Sequence, residues 1–435
     1  MFRNLVLIFV VTLPLYAMSQ PSNQWINSSQ EYFKIPVARD GIYKLTYPEL
    51  LEAGFPVNAD PGTFQLIHRG VEQAIKINGG EDGSFNPDDY ILFYGRKNDG
   101  TLDKQLYATP DDQPHDLYNL FSDTTSYFLT VGLTSGKRMS EFSSGNVDGL
   151  TPEPFHNDIR TLLLTEQYNP GRSLGNEIFT STFDPNESWT GITVRDGAFR
   201  DFQVTGINNT LPAAAPPQIE IILLGRSPFF HHAEISVGPA LRVLRNVSLS
   251  LSERVVIRET LQWSDISPEG TLTLRLRVPS NGYLDMVSLS LVRVIYPQTV
   301  AAGNGEKIFY TQPSAGESVY LEINNAPAFG DLIFDVTDAS NVSAIGGTRA
   351  STLNVVVPGA ATSRKLFLPA GFIEPAQISK VRFRQLIPGT YGYVIITHPR
   401  LRKPAGGYAD PVEAFAAYRA SAKGGGFDTL VVHTQ

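Results

Sequence analysis

Tyr391-Gly392-Tyr393-Val394-Ile395-Ile396-Thr397, Asp410-Pro411-Val412-Glu413 and Phe427-Asp428-Thr429-Leu430-Val431-Val432 read as three pieces of one βαβ unit. The first has the composition of a buried strand. The second is a helix start, with Asp410 as the cap, Pro411 at the first helical position and Glu413 closing a capping box. Ala414 to Ala420 continues the helix, and Gly424-Gly425-Gly426 stops it. The third piece is another apolar strand, close to Gln435. A parallel sheet needs both faces covered and several strands. Two strands and one helix supply neither. Residues 390–435 are therefore expected to open a larger α/β domain that is incomplete within this sequence.

The rest of the chain is read outward from that unit. An apolar share of 42% is enough for ordinary packed cores. The net charge of -8 is spread out, with no basic stripe, so nucleic acid is not an expected partner. Cysteine is absent, which excludes a disulfide framework, a thiolate metal site and a cysteine nucleophile within these residues. At the N-terminus, Arg3 precedes an apolar run from Leu5 to Ala17, too short to span a bilayer comfortably. Ala17-Met18-Ser19 supplies small residues at the cleavage positions, so residues 1–19 read as a signal peptide and the protein as exported. The other reading is an uncleaved anchor. No further segment has the length and composition of a membrane span.

Residues 20–149 read as a β-rich domain. Tyr32–Val37 and Gly41–Thr46 flank Arg39-Asp40-Gly41, and Asp-Gly between apolar runs predicts a hairpin. Thr46 and Glu49 predict a capping box for a short helix ending at Gly54. Strands are expected at 63–68, 74–77, 90–94 and 126–131. Residues 150–298 show period-2 alternation at 219–224, 247–251 and 271–278, with a last strand at 286–296. Such strands without intervening helices predict an antiparallel sandwich of jelly-roll type. Residues 299–389 carry further strands at 318–323, 331–336, 352–357 and 380–384. They read as a small β module or as a continuation of the sandwich. The fold class is mainly β, followed by the first βαβ unit of an α/β domain.

Three patterns carry possible chemistry. Gly171-Arg172-Ser173-Leu174-Gly175 matches the nucleophile elbow of serine hydrolases, which needs a strand before the serine and a helix after it. Asn169-Pro170 breaks the strand and no helix pattern follows, so a Gly-rich turn is the competing reading. Residues 78–89 form an acidic, Gly-rich loop. Glu81, Asp82, Asp88 and Asp89 are the candidate calcium ligands, since calcium takes several oxygens from flexible acidic loops. The spacing does not follow an EF-hand, and a solvated hairpin loop is the competing reading. Of the seven histidines, His231 and His232 are adjacent in a strand and so point to opposite faces. His398 and His433 fall at the carboxyl ends of the two parallel strands, the edge where α/β sheets place active sites; a structural role is the competing reading.

In this order, four segments resemble those of gingipain-type cysteine peptidases. More narrowly, they resemble the subgroup linked to type IX secretion in Bacteroidetes, which includes the secretion-system sortase. Arg39-Asp40-Gly41-Ile42-Tyr43-Lys44-Leu45 is similar to that group's opening hairpin. Asp82-Gly83-Ser84-Phe85 followed by Asp88-Asp89-Tyr90-Ile91-Leu92-Phe93-Tyr94-Gly95 is similar to its next block. Phe334-Asp335-Val336-Thr337-Asp338 resembles the segment preceding the catalytic domain. Tyr393-Val394-Ile395-Ile396-Thr397-His398-Pro399, with Tyr418-Arg419, resembles the first strand and helix of that domain. Gly171-Arg172 with Gly175 and Glu177 resembles a shared turn, with Asn176 as an addition.

The resemblance implies a truncated caspase-like α/β domain whose His/Cys dyad lies beyond Gln435. No catalytic residue is expected within this sequence, and no cofactor beyond the calcium suggested by the acidic loop. It implies protein or peptide substrates, type IX secretion components as partners, and a periplasmic, outer-membrane-surface or extracellular location. The competing function is an exported β-sandwich that binds glycans or surface proteins without catalysis.

Overall fold

The computed structural model describes residues 23–144, 147–171, 181–280, 282–303, 305–314, 316, 318–383 and 389–433. The expected signal peptide and Ser173 lie outside the described residues. The chain divides into two compact units, one built on Gln30–Val381 and the other on Arg382–Gln435. No described helix is long and apolar enough to cross a membrane.

The first unit begins with β1 (Tyr32–Val37), β2 (Gly41–Thr46), α1 (Tyr47–Glu52), β3 (Phe64–His68), β4 (Val71–Gln73), β5 (Ile75–Asn78), β6 (Tyr90–Gly95) and β7 (Thr125–Val131). Strands β1-β7-β3-β4 form one sheet and β2-β6-β5 another. Phe33, Phe55, Phe64 and Phe93 fill the space between them. The hairpin expected at Arg39-Asp40-Gly41 is not formed. β1 pairs with β7, and β2 pairs with β6. Both strands bury alternate residues in the same core, from opposite sheets, so the Asp-Gly turn is a corner between layers. Asp40 Oδ1 accepts the Lys97 N–H at 2.9 Å, and the Tyr43 hydroxyl donates to the Arg39 carbonyl at 3.1 Å. Glu49 accepts from both the N–H and the hydroxyl of Thr46, at 2.8 and 2.6 Å, completing the N-terminal cap of α1. β8 (Ser140–Ser143) then leaves this module.

The next strands are β9 (His156–Leu163), β10 (Gln167–Asn169), β11 (Ser188–Thr190), β12 (Val194–Arg195), β13 (Phe199–Val204), β14 (Gln218–Gly225), β15 (Phe230–Val237), β16 (Arg242–Ser250), β17 (Arg254–Thr260), β18 (Leu272–Arg277) and β19 (Met286–Gln298). One layer has the order β17-β14-β19-β9 and the other β13-β18-β15-β16, with antiparallel neighbours throughout. Numbered consecutively as eight strands, the two layers run 6-3-8-1 and 2-7-4-5, the winding of a jelly roll. Ile221, Leu223, Ile235, Leu274, Leu276 and Val292 are fully buried between the layers. The centre of β19 is buried on both faces, because Ile222, Leu224 and Leu291 are covered from outside the sandwich by Leu117 and Leu163.

The third module contains β20 (Lys307–Tyr310), β21 (Ser318–Ile323), β22 (Leu332–Asp335), β23 (Ser343–Gly346), β24 (Thr348–Arg349), β25 (Leu353–Pro358) and β26 (Lys365–Leu368). Its main sheet, β20-β26-β22-β23-β8, is hydrogen-bonded onto β9 of the jelly roll. The second layer is β21-β25-β24, and Phe309, Leu321, Val355 and Leu366 lie between the two. One continuous sheet therefore serves two cores. β27 (Ser379–Val381) returns to pair with β1.

In the second unit, β28 (Tyr393–Thr397) and β29 (Thr429–His433) pair in parallel, with α2 (Pro411–Ala420) between them in sequence. Asp410 caps α2 by accepting the N–H groups of Val412 and Glu413 at 3.0 and 3.2 Å. Glu413 does not serve the expected capping box; it turns to Arg402. The first strand is not the buried strand its composition suggests. Val394 and Ile396 are 53% and 72% exposed, alternating with better-covered Tyr393, Ile395 and Thr397. A parallel strand needs a layer on each face, and the described residues supply only one.

Candidate functional site

At the carboxyl edge of the parallel pair, the sequence-flagged histidines have different tasks. His398 caps the short turn that follows β28, its Nδ1 accepting the Arg400 N–H at 3.1 Å. His433 Nε2 faces Arg402 Nη1 at 2.7 Å, so that nitrogen is the acceptor. Arg402 also donates from Nε to Asp410 Oδ2 at 2.7 Å and from Nη2 to Glu413 Oε1 at 2.8 Å. The guanidinium is thus a hub joining the turn, the helix start and the end of β29. These bonds, that to Asp410 first, push the guanidinium above its ordinary range. Asp410 is held below the usual carboxylate range: burial works the other way, but backbone donors and Arg402 overcome it. Among the described residues this edge is polar.

The acidic loop closes the antiparallel pair β5 and β6, from Asn78 opposite Tyr90 to Ile75 opposite Phe93. Its four carboxylates do not share a task. Glu81 and Asp88 are exposed. Asp82 accepts the Ser84 N–H at 2.9 Å and the Asn86 side-chain amide at 3.1 Å. Asp89 is buried and accepts the Asn86 N–H at 2.6 Å. Its Oδ1 lies where a Cβ on Gly79 would sit, 1.7 Å away, and Gly79 has φ +94°. Among the described residues no three His, Cys, Asp or Glu side chains are grouped to hold a metal ion. At the G-x-S-x-G pattern, the flanking β10 pairs antiparallel with β11, which is not the strand of a parallel sheet that an elbow requires.

His231 and His232 do point to opposite faces. His231 is fully buried, with Nδ1 2.8 Å from Asp285 Oδ1 and Nε2 2.8 Å from the Leu251 carbonyl. Asp285 Oδ2 accepts the His232 N–H at 2.9 Å. The pair braces three loops at one end of the jelly roll. His232 is exposed, and its Nδ1 meets Ser248 Oγ at 3.0 Å.

One buried polar cluster was not singled out by sequence reading. It lies where β9 and β19 of the jelly roll meet β20. Asp158 Oδ1 accepts from Lys307 Nζ at 2.6 Å, and Asp158 Oδ2 accepts from the Tyr296 hydroxyl at 2.9 Å. Arg160 Nε lies 2.8 Å from the same Oδ2. The Gln298 amide donates to Tyr296 Oη at 2.9 Å, and its oxygen lies 3.1 Å from His156 Nε2. Burial pushes Asp158 up, but Lys307, Arg160 and Tyr296 together overcome it and hold the carboxyl below the usual range. Burial lowers Lys307, with Asp158 opposing. Burial raises Tyr296 to about 12, reinforced by the Asp158 charge. Burial also lowers His156 to about 4, helped by the nearby Lys307. A cavity of about 550 Å³ opens over this cluster, with Asp40, Asn209, Glu306 and Tyr310 on its walls.

No family model matches the chain, and no curated protein matches it. Among solved structures, the crystal structure of dimeric latent PorU from Porphyromonas gingivalis is similar with a TM-score of 0.59 at 15% identity. The likeness covers 93% of this chain and 37% of that one. The two share a fold over that span. This chain accordingly spans well under half the length of the PorU chain. The CBM36-1 domain of a multidomain xylanase from the hindgut metagenome of Trinervitermes trinervoides is matched over 32% of this chain and 95% of its own, at 10% identity and a TM-score of only 0.20. That score says nothing about the present fold.

Proposed function

We propose that this chain is the non-catalytic front portion of an exported gingipain-like cysteine peptidase or type IX secretion sortase. The observation that carries the reading is the shared fold with latent PorU across 93% of this chain but 37% of that structure. The half-covered strand β28 agrees with it, since Val394 and Ile396 present apolar surface of the kind a second helical layer covers. The His/Cys dyad then follows later strands of the α/β domain, where imidazole and thiol cooperate in acyl transfer and backbone amides stabilise the oxyanion. Substrates are proteins or peptides, released by hydrolysis or passed to another acceptor, and secretion-system components are the partners. The modules before the α/β unit present or restrain that domain. They carry no step of the chemistry.

The test expresses the gene's whole reading frame, which on this reading runs past Gln435; a stop codon directly after Gln435 overturns the reading. The longer product is expected to cleave a broad peptide library with inhibition by iodoacetamide, while the 435-residue chain leaves the library intact. A longer product without a cysteine, or cleavage insensitive to iodoacetamide, overturns the reading.

A further inference from the structure

We propose that the cavity at the junction of the three β modules is a binding site for a small neutral saccharide. Each module contributes to it. Asp40 comes from the corner between β1 and β2, Arg160 and Asp158 from the jelly roll, and Tyr310 and Phe367 from the third module. Its volume of about 550 Å³ falls in the range of pockets that take a compact ligand.

The wall chemistry selects the class. Three carboxylates (Asp40, Asp158, Glu306) face two cations (Arg160, Lys307), so neither a strong anion nor a strong cation finds a matching field. Asp158 and Lys307 neutralise each other at 2.6 Å beneath the cavity and are fixed in place. Arg160 lines the cavity with its side chain still 35% exposed. Thr161, Asn208 and Asn209 add side chains that both donate and accept. Tyr310, partly exposed, supplies apolar ring surface beside these groups, while Phe367 is buried behind the wall against Tyr94. Hydroxyl and amide side chains beside the partly exposed Tyr310 ring suit a ligand ring that carries hydroxyls on its rim and C–H groups on its faces. The rigidity of the charged floor means that little is reordered on binding.

The proposal is independent of the peptidase reading, because no residue of the α/β unit takes part. Isothermal titration of the full chain with glucose, galactose, mannose, xylose, N-acetylglucosamine, maltose and cellobiose is expected to show one saturable site for at least one sugar. Thr161→Ala and Glu306→Gln, both exposed positions, should each weaken that binding at least tenfold while leaving the thermal midpoint unchanged. No saturable binding by any of these sugars overturns the proposal. So does binding that survives both substitutions, or displacement of the sugar by sodium phosphate or calcium chloride at equal concentration.

Discussion

Acid should loosen the junction through His156, and the size of the effect follows from its surroundings. The ring is fully buried, packs edge-on against Phe309 at 4.8 Å and sits near the Lys307 ammonium. Its pKa falls from 6.5 to about 4 in the folded chain. Between those values the unfolded state binds more protons than the folded one, so stability rises with pH. It is complete above 6.5 and is lost as pH falls toward 4. At pH 5 the unfolded ring is almost wholly protonated and the folded ring only slightly, which makes the loss about 2 kcal/mol relative to pH 8. The full gap, reached below pH 4, is worth about 3.4 kcal/mol. Asp158 does not offset this at pH 5, because its carboxyl is held below the usual range and stays ionised. The measurement is urea unfolding at pH 8 and pH 5, followed by fluorescence of Trp263, which packs on the jelly-roll core. His156→Phe keeps an aromatic ring on Phe309 but cannot titrate. It should start about 1–2 kcal/mol less stable at pH 8, for the lost bond to Gln298. Its drop between pH 8 and pH 5 should then be smaller than the wild type's by about 2 kcal/mol. Equal drops in the two proteins would refute the argument. His68 and His115, lowered by burial to about 3 and about 4, add to the acid loss in both proteins and cancel in the comparison.

Other substitutions separate the remaining parts of the structure. Asp158→Ala strands the Lys307 ammonium beside Arg160 and should cost about 3–5 kcal/mol, read as a lowered thermal midpoint; pairing it with Lys307→Met should recover much of that loss. Gly79→Ala forces a side chain onto the Asp89 carboxylate at φ +94° and should cost at least about 1–2 kcal/mol, with faster proteolysis between residues 79 and 89; unchanged digestion would contradict the tight packing of that loop. Asp410→Ala removes the cap of α2 and should cost about 1 kcal/mol of local stability, visible as faster amide exchange at Val412 and Glu413, with the jelly-roll strands unaffected.

Where side-chain periodicity decides the outcome, the sequence reads well. Leu272, Leu274 and Leu276 alternate with Thr273, Arg275 and Arg277, and that strand forms as expected with the leucines inward. The first turn of α1 is legible for the same local reason, since Thr46 and Glu49 lie within hydrogen-bond reach in any helix that starts there. Pairing partners are not local. Asp-Gly between two apolar runs looks the same whether the chain folds back in one sheet or crosses to the facing one, and only the shared core of β1 and β2 decides for the crossing. Alternation predicts strand β16 only over 247–251 because in its first half, Arg242-Val243-Leu244-Arg245-Asn246, the two apolar residues are adjacent and flanked by polar ones, so no period of two appears. β9 escaped for the opposite reason. Its buried positions include His156 and Asp158, so alternation of apolar residues is absent where the strand is most enclosed. The signal available was a charged residue inside an otherwise strand-like run. Its partner Lys307 lies 149 residues away, and no spacing rule connects the two.

That distance also explains why the junction is ionic. Between β9 and β20 the backbone ladder is reduced to one register pair, Asn157 with Tyr310. A seam so short fixes the strands weakly by main-chain bonds alone, and apolar side chains there would tolerate a slip along the strand. Asp158 tolerates none. Its two oxygens are taken by Lys307 from β20, by Tyr296 from β19 and by the neighbouring Arg160. A displacement of β20 by one residue would pull Lys307 away from Asp158 and leave a largely buried ammonium without its carboxylate. The network therefore sets the alignment of the third module on the jelly roll. The cavity above it inherits that alignment, because its floor is made of the groups that do the aligning.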